Sequence, residues 1–222
     1  MKEYTLIFLL FITISIYAQK DSGIVLYKVL SRKEVRVSKI IGKNNSKNLR
    51  SFFKKPAEFE LSFKGDKSLY KRKVKFNKDG EREKVNFFEI VGGSDGVFYC
   101  EKGKVIESTN EYDESFLIEY DSDVWKITQE SKQIGKYICY KAISKNNRIV
   151  WFTPEIPLQF GPKQLKGLPG LILEVEIGKI SIIASEITFK PIDSIKQNFK
   201  GTVISESDYR KKISEMAKSI GF

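Results

Sequence analysis

Residues 151–174, WFTPEIPLQFGPKQLKGLPGLILE, constrain the fold more than any other stretch of this 222-residue chain. Four of the six prolines and three glycines lie here. Each proline fixes φ at about −65° and lacks a backbone donor, so the segment can form neither a helix nor an interior strand. Its apolar side chains are not those of a flexible polar linker. We therefore predict a rigid, packed segment, called the proline-rich segment below.

Within this segment, residues 168–171 fit a type II turn, because proline suits its second position and glycine its third. Gly170 would then have a positive φ and lead directly into the next strand. We predict that the segment closes one end of a sheet, with Trp151 and Phe160 as packing anchors. The alternative is a rim that binds a ligand or a partner.

The hexapeptide at residues 167–172 resembles the signature of the GLPGLI family, exported bacterial proteins named after it. Residues 151–157, followed by Gly161-Pro162, are similar to the family's second motif at its usual spacing, although residues 164–165 depart from the common Lys-Phe. The motif positions are Trp151, Thr153, Pro154, Glu155, Pro157, Gly161, Pro162, Gly167, Leu168, Pro169, Gly170, Leu171 and Ile172. The resemblance implies no activity, because the family has no established one, and we assign these positions structural roles.

The N-terminus has the outline of a cleavable signal peptide. Residues 6–16 are apolar, follow Lys2 and precede Ala18, and they are too few to span a membrane. We predict a signal peptide at residues 1–18, a single β-rich domain at residues 19–222, and no transmembrane span. The expected location is the periplasm or cell surface of a Gram-negative bacterium.

Turn pairs recur between short apolar runs and predict consecutive hairpins. They are Gly65-Asp66, Asp79-Gly80, Asn146-Asn147 and Gly178-Lys179. The run Val85 to Phe88, after the second pair, is predicted as a strand. Aromatic residues make up 13% of the chain, which favours a sheet-rich interior. We predict an all-β (β-rich α+β) fold, a curled antiparallel sheet or half-barrel meander with one C-terminal helix.

The C-terminal helix is predicted from its cap and its apolar face. Residues 205–208, Ser-Glu-Ser-Asp, have the form of a capping box. The residues that would line one face are Tyr209, Ile213, Met216, Ala217 and Ile220. We expect this face to lie on the sheet; the alternative is a helix that binds a partner.

Cys100 and Cys139 are the only cysteines, and each lies in a strand-like run. An exported compartment permits a disulfide, which would stabilise the fold by about 4 kcal/mol. We predict this disulfide; the alternatives are two buried free thiols or a reactive thiol.

The net charge of +11 is unevenly distributed. Residues 20–104 contain 22 Lys and Arg against 11 Asp and Glu, whereas residues 105–222 contain 16 of each. Export excludes nucleic acid as the natural target of such a basic region. An envelope protein or an anionic glycan or glycolipid is the expected partner, and the alternative is a solvated basic face without a partner.

Acidic residues cluster next in the chain, with no basic residue from position 107 to 125. They are Glu107, Glu111, Asp113, Glu114, Glu119, Asp121 and Asp123. Carboxylates are calcium ligands, but the spacing matches no EF-hand loop. We predict no metal site and expect the basic half to neutralise this cluster.

The chain contains no histidine, which excludes Ser-His-Asp and Cys-His catalysis and histidine-ligated metals. Two cysteines cannot form a thiolate zinc site, and the glycine-rich residues 91–96 lack the lysine of a phosphate-binding loop. We predict no cofactor and no enzyme activity. Carboxylate-pair hydrolysis stays formally open, with Glu155 as its candidate, although a turn-stabilising hydrogen bond is the expected role of Glu155.

We therefore predict a non-enzymatic binding module of the cell envelope. The first alternative is a carrier of a hydrophobic ligand, with the curled sheet as container and Phe160 and Leu168 in a lid. The second is a carboxylate-dependent hydrolase.

Overall fold

The computed structural model describes residues 21–32, 55–74 and 86–219. These residues form twelve strands of one open sheet and two helices. The strands are β1 (Ser22–Ser31), β2 (Ala57–Lys64), β3 (Lys67–Arg72), β4 (Val97–Glu101), β5 (Lys104–Glu111), β6 (Glu114–Tyr120), β7 (Trp125–Ile134), β8 (Tyr137–Ser144), β9 (Ile149–Thr153), β10 (Leu171–Ile177), β11 (Ile180–Phe189) and β12 (Thr202–Ser205). The helices are α1 (Phe87–Gly92) and α2 (Glu206–Ser219). The predicted signal peptide and most of the basic region from 28 to 55 lie outside the described residues.

Strand β1 joins two antiparallel meanders. The strand order is β12-β6-β5-β4-β3-β2-β1-β11-β10-β9-β8-β7. Strands β1 to β6 form one meander and β7 to β11 the other, and β1 pairs with β11 to connect them. Strand β12 pairs with β6 in the parallel orientation. The predicted β-rich fold is confirmed, but the parallel pair and the seam at β1 were not predicted.

A short connection shows how strongly the sheet curls. Strands β6 and β7 are ten strand spacings apart in the sheet order, which amounts to about 48 Å along a flat sheet. Only residues 121–124 link them, and this link spans at most about 18 Å between Tyr120 and Trp125. The two ends of the sheet must therefore approach each other, as a half-barrel requires, although the sheet stays open.

Three of the four predicted hairpin turns are confirmed. Gly65-Asp66 joins β2 to β3, Asn146-Asn147 joins β8 to β9, and Gly178-Lys179 joins β10 to β11. Asn147 and Gly178 have φ values of 58° and 59°, in the left-handed region that such turns use. The Asp79-Gly80 pair lies outside the described residues.

The predicted strand at residues 85–88 is wrong, because Phe87 and Phe88 begin helix α1. The side chain of Asn86 accepts hydrogen bonds from the backbone N–H groups of Phe88 and Glu89, at 2.9 and 3.1 Å. The carboxylate of Glu89 accepts one from the backbone N–H of Asn86, at 2.9 Å. This capping box satisfies the donors at the start of the helix, so local hydrogen bonding decides against a strand.

Helix α2 begins as predicted. The Ser205 hydroxyl accepts a hydrogen bond from the Asp208 backbone N–H at 3.1 Å, and the Tyr209 ring packs edge-on against Phe116 of β6 at 5.3 Å. The apolar face is only half-buried, and Ile220 lies outside the described residues. No helix in the described part of the chain is both long and apolar enough to cross a membrane.

Aromatic side chains fill the core on one face of the central strands. Phe59 of β2 stacks on Tyr70 of β3 with ring centroids 5.2 Å apart. The hydroxyl of Tyr70 donates to the carbonyl of Gly92 in α1 at 3.0 Å. The hydroxyl of Tyr27 in β1 donates to the carbonyl of Ile172 at 2.6 Å. This face therefore holds both α1 and the end of the proline-rich segment.

The predicted disulfide between Cys100 and Cys139 is not present in the structure. Cys100 and Cys139 are both buried and both free. Cys100 lies on β4 and Cys139 on β8, in different meanders with six strands between them in the sheet order. Burial raises the pKa of both thiols, that of Cys139 to about 12. They pack in the core as small apolar side chains, and the raised pKa lowers the fraction of the reactive thiolate.

The thiol state gives a direct test. Protein unfolded in denaturant without reductant should release two titratable thiols per chain, whereas the folded protein should release almost none, because both side chains are buried. Thiol titration with a chromogenic disulfide measures both states. Zero thiols in the unfolded protein would mean that the cysteines pair.

Candidate functional site around the connector between β9 and β10

Residues 154–170 of the proline-rich segment connect β9 to β10 and are called the connector. They form no helix and no strand, and their only regular pairing is a β-bridge between Phe160 and Lys166. The apolar side chains of Ile156, Phe160, Leu165 and Leu168 are at most 7% exposed. The predicted rigid, packed segment is thus what the structure contains.

Backbone hydrogen bonds hold the connector against the start of β10. Leu171 N–H donates to the carbonyl of Ile156 at 3.0 Å, and Ile172 N–H donates to that of Phe160 at 3.0 Å. Gly161 packs so closely on Ile172 that a Cβ on the glycine would lie 2.8 Å from the Ile172 side chain. Gly161 of the second motif and Ile172 of the hexapeptide therefore belong to one packed unit.

Lys166 connects this unit to the turn between β4 and β5 and to the edge strand β7. Its ammonium group donates to the carbonyl of Gly103 in the turn between β4 and β5. Its backbone carbonyl accepts a hydrogen bond from the indole N–H of Trp125, the first residue of β7, at 2.8 Å. Lys166 is only 6% exposed. The connector therefore contacts both meanders, and the sequence analysis did not identify this lysine.

The predicted type II turn at residues 168–171 is wrong. Gly170 does not have a positive φ, and its N–H donates to the carbonyl of Leu168 at 2.8 Å, which makes a three-residue turn around Pro169. Gly167 has the positive φ instead, at 85°. Gly170 is required for another reason: a Cβ would overlap the carbonyl oxygen of Thr153.

Substitutions at Gly167 and Gly170 distinguish a positive φ from a steric clash as the reason for each glycine. Gly170→Ala should lower the free energy of unfolding by about 1–3 kcal/mol because the added methyl group overlaps backbone, and Gly170→Asn should cost at least as much. At Gly167 nothing lies near an added Cβ, so Asn should be tolerated better than Ala, because Asn adopts positive φ more readily. Denaturant unfolding measures all four variants. A stable Gly170→Asn variant would instead support the type II turn.

Trp151 and Glu155 have structural contacts. The indole N–H of Trp151 donates to Glu176 at 2.7 Å, and the Lys132 ammonium lies 4.1 Å from the centre of its ring. The Glu155 carboxylate accepts a hydrogen bond from the backbone N–H of Ile138 at 2.9 Å. Glu155, just after β9, is therefore linked to the start of β8 by a long-range hydrogen bond, which differs from the local turn-stabilising bond expected from the sequence.

Glu176 is held in its charged form. Burial opposes ionisation, but the indole N–H of Trp151 and the charges of Arg32 and Lys132 outweigh it and lower the pKa of Glu176. Arg32 lies 2.6 Å from this carboxylate and Lys132 lies 3.5 Å from it. The neighbouring Glu174 is 5% exposed and accepts a hydrogen bond from Ser181 at 2.6 Å. These contacts stabilise the middle of the second meander.

The lowered pKa predicts a pH dependence. An acid whose pKa falls on folding stabilises the protein above its unfolded value of about 4.3, and that contribution is lost as the pH falls through the folded value. Glu176→Gln should therefore cost about 1 kcal/mol at neutral pH and almost nothing in strong acid. Unfolding free energies across this range test it, with exposed Glu186→Gln as control. A cost that does not change with pH would contradict it.

A pocket of about 470 Å³ lies beside the connector. Its lining residues are Asp21, Gly65, Asp66, Cys100, Gly103, Ser122, Pro157, Leu158, Gln159, Phe160, Lys166 and Gly167. They come from the connector, the turns after β2 and β4, the link between β6 and β7, and the start of β1. The pocket thus occupies the region where the two ends of the sheet approach each other, and we call it the connector pocket.

The connector pocket combines polar and apolar groups. Asp21, Asp66 and Ser122 are exposed on its walls, and the amide of Gln159 adds a donor and an acceptor. Burial raises the pKa of the Cys100 thiol, so this residue is neutral in the wall. The pocket is therefore suited to a ligand that offers both hydroxyl groups and apolar faces.

A second group of polar residues lies at the tip of the connector. Lys163 has a left-handed φ of 58°. Burial lowers the pKa of its ammonium group, and Glu107 is the strongest charge that opposes this effect. Burial likewise raises the pKa of Glu107, whose carboxylate accepts a hydrogen bond from the hydroxyl of Tyr120. The side-chain oxygen of Gln164 is buried and has no partner among the described residues.

The other members of the acidic cluster do not form a metal site. Asp123 pairs with Arg148 at 3.4 Å, and Glu114 pairs with Lys212 of α2. In the described residues no group of three or more acidic or cysteine side chains could hold a metal ion. Basic residues do neutralise these two carboxylates, but both basic partners come from the second half of the chain.

Comparison with known proteins supports the fold and the motif. Residues 143–174 match a family described as "Protein of unknown function (Porph_ging)". No curated protein matches the chain.

Two structures of PNGF-II, in the C2 and P21 space groups, have a similar fold. Their TM-scores are 0.53 and 0.55, their identities are 16% and 17%, and the similarity covers 87% and 88% of this chain. The chain spans 33% of the length of PNGF-II. At this identity the likeness concerns the fold alone. The proline-rich segment therefore lies wholly within the residues that match a family of unknown function, on a fold similar to part of PNGF-II.

Proposed function

We propose that this chain is a non-enzymatic binding module whose connector pocket takes a segment of a neutral glycan. The observation that carries the proposal is the pocket itself, about 470 Å³ in volume, between the connector, the turns after β2 and β4, and the link between β6 and β7. Rigid elements line it, and a preformed site loses less entropy on binding.

The chemistry of the walls suits a sugar. A sugar offers hydroxyl groups that donate to carboxylates and amides, and C–H faces that pack on apolar side chains. Asp66 and Gln159 supply the hydrogen-bonding groups, while Pro157, Leu158 and Phe160 supply apolar surface. Both kinds of group come within one pocket of small-ligand size.

Charge favours a neutral ligand. Asp21 and Asp66 are the two carboxylates of the lining, and Lys166 is its single cation. The ammonium of Lys166 already donates to the carbonyl of Gly103. An anionic sugar would therefore meet two like charges, which disfavours binding. The anionic partners expected from the basic region would need a different surface.

The proposed location of this module is the cell envelope, in the periplasm or on the surface, where glycans are abundant. The signal-peptide pattern at residues 1–18 and the resemblance to an exported family support this part of the proposal.

The two alternatives have less support. The hydrophobic carrier requires Phe160 and Leu168 to form a lid, but these side chains are 7% and 1% exposed within the core cluster. The hydrolase requires Glu155 to face a substrate, but its carboxylate binds the backbone of β8. Glu155 also lines neither of the two pockets described for this structure.

A binding screen tests the proposal. The full chain, screened against immobilised neutral and acidic glycans, should retain neutral members, with affinities then measured by calorimetry. Asp66→Asn keeps the size of the side chain and removes its charge. It should weaken binding about tenfold or more, because a hydrogen bond to a charged group contributes about 1.5–3 kcal/mol.

Asp193→Asn is the matched control, because Asp193 is exposed and does not line the pocket. Its affinity should equal that of the wild type. Equal effects of the two substitutions would contradict the proposed site. Preferential retention of acidic glycans, strengthened by Asp66→Asn, would contradict the proposed ligand class.

A further inference from the structure

A second pocket, about 360 Å³ in volume, lies at the opposite end of β2 from the connector pocket. Residues 55–58, where β2 begins, and residues 72–74, where β3 ends, line it together with residues of β1 and α1. The connector pocket instead contains the turn that follows β2. The 8 residues of β2 separate the two pockets by about 25 Å. We call this second cavity the basic pocket.

Positive charge predominates in the lining of the basic pocket. The cationic residues are Lys28, Lys55, Arg72 and Lys73, and the acidic ones are Glu58 and Glu89. Glu89 is already paired with Arg72 at 2.8 Å. Lys28 and Lys73 are exposed, and their ammonium groups form no ion pair and no hydrogen bond with the described residues. A compact anion can therefore pair with these two lysines without breaking a bond within the protein.

The register of the sheet brings the two lysines close together. Lys28 of β1 lies directly opposite Glu58 of β2, and the backbone N–H of Lys73 donates to the carbonyl of Glu58 at 2.9 Å. Neighbouring side chains across two strands have Cβ atoms about 5 Å apart, so Lys28 and Lys73 are separated by about 10 Å. Both long side chains can therefore reach one phosphate-sized group.

Two further polar groups belong to the walls. The side-chain oxygen of Asn86 accepts the two hydrogen bonds that cap α1, so its amide N–H groups are left to donate to a ligand. Arg72 has a side chain that is 4% exposed and is fixed by Glu89 and by Asp95, the latter at 2.5 Å. Its Nε–H is buried and has no hydrogen-bond partner in the described residues. The wall thus contains a donor that the fold leaves unsatisfied, which is uncommon in native proteins.

The rest of the lining is apolar. It consists of Pro56, Ala57 and Val74, of which Val74 is 41% exposed. A bare inorganic anion would gain nothing from this surface, whereas the carbon atoms of a sugar or glycerol group would pack on it. The combination of lysines and apolar surface therefore suits an anionic group attached to an organic part.

We propose that the basic pocket binds a phosphate ester, with Lys28, Lys73 and the amide of Asn86 as the groups that contact the phosphate. Ammonium and amide N–H groups are donors, and the charged phosphate oxygens accept strong hydrogen bonds from them. The ester can come from a phosphorylated small molecule or from the headgroup of an anionic lipid. This proposal does not depend on the neutral glycan proposed for the connector pocket.

Two binding measurements at low ionic strength test the proposal with the full chain. Calorimetric titration with glycerol 3-phosphate, and with glycerol as the uncharged control, tests a soluble ester. Sedimentation with phosphatidylcholine vesicles, with and without phosphatidylglycerol, tests a headgroup. At least one phosphate probe should bind, and added salt should weaken that binding because it screens the charges. Binding of the soluble ester alone or of the vesicles alone identifies the source, and binding of neither overturns the proposal.

Substitutions locate the site. Lys28→Gln and Lys73→Gln should each weaken phosphate binding about tenfold, because each removes a charge-assisted hydrogen bond. Lys196→Gln and Lys200→Gln are the matched controls, since these lysines are exposed and line neither pocket. Equal weakening by the controls would mean that net charge alone attracts the probe and would overturn the site.

One more variant separates the two proposed sites. Asp66→Asn, which tests the connector pocket, should leave phosphate binding unchanged, because Asp66 does not line the basic pocket. A loss of phosphate binding in this variant would place the phosphate in the connector pocket and overturn the proposal. Circular dichroism of each variant shows that the fold is intact.

Discussion

One buried lysine links the two meanders of a sheet that curls but does not close. Lys166 donates through its ammonium to the turn between β4 and β5 and accepts through its carbonyl from Trp125 at the edge strand β7. The short link at residues 121–124 already brings the two ends of the sheet together, and the connector contacts both meanders. A buried carbonyl or ammonium left unpaired costs about 1–3 kcal/mol or more. The connector must therefore keep one conformation. Its prolines restrict the backbone to that conformation, and its glycines allow the chain to pack closely against neighbouring residues.

The rigidity of the connector serves the proposed site. Phe160 and Lys166 form the β-bridge that closes the small loop at the tip of the connector, and both line the connector pocket. The same pairing therefore fixes the conformation of the connector and one wall of the pocket.

Local signals in the sequence predicted the hairpins, the cap of α2 and the packed proline-rich segment. Such signals are readable because turn residues and prolines restrict the backbone conformation of the residues next to them. The capping box of α1, Asn86 with Glu89, was also readable, but the aromatic run at Phe87-Phe88 suggested a strand. The pairing of β1 with β11 depends on residues 149 to 166 positions apart, for which the sequence offers no local signal. Gly170 was predicted to have a positive φ, but its observed constraint is a close approach to the carbonyl oxygen of Thr153, which is visible only in three dimensions.

The two lysines of the connector show that a buried charged side chain needs a partner. Lys166 is 6% exposed, and its ammonium group donates to the carbonyl of Gly103. An ammonium group that loses its hydration without such a bond would lower the stability of the fold. Lys163 is only half-buried, and its ammonium group is not among the buried polar atoms without a partner in the described residues. Lys166 is therefore the lysine on which the conformation of the connector depends.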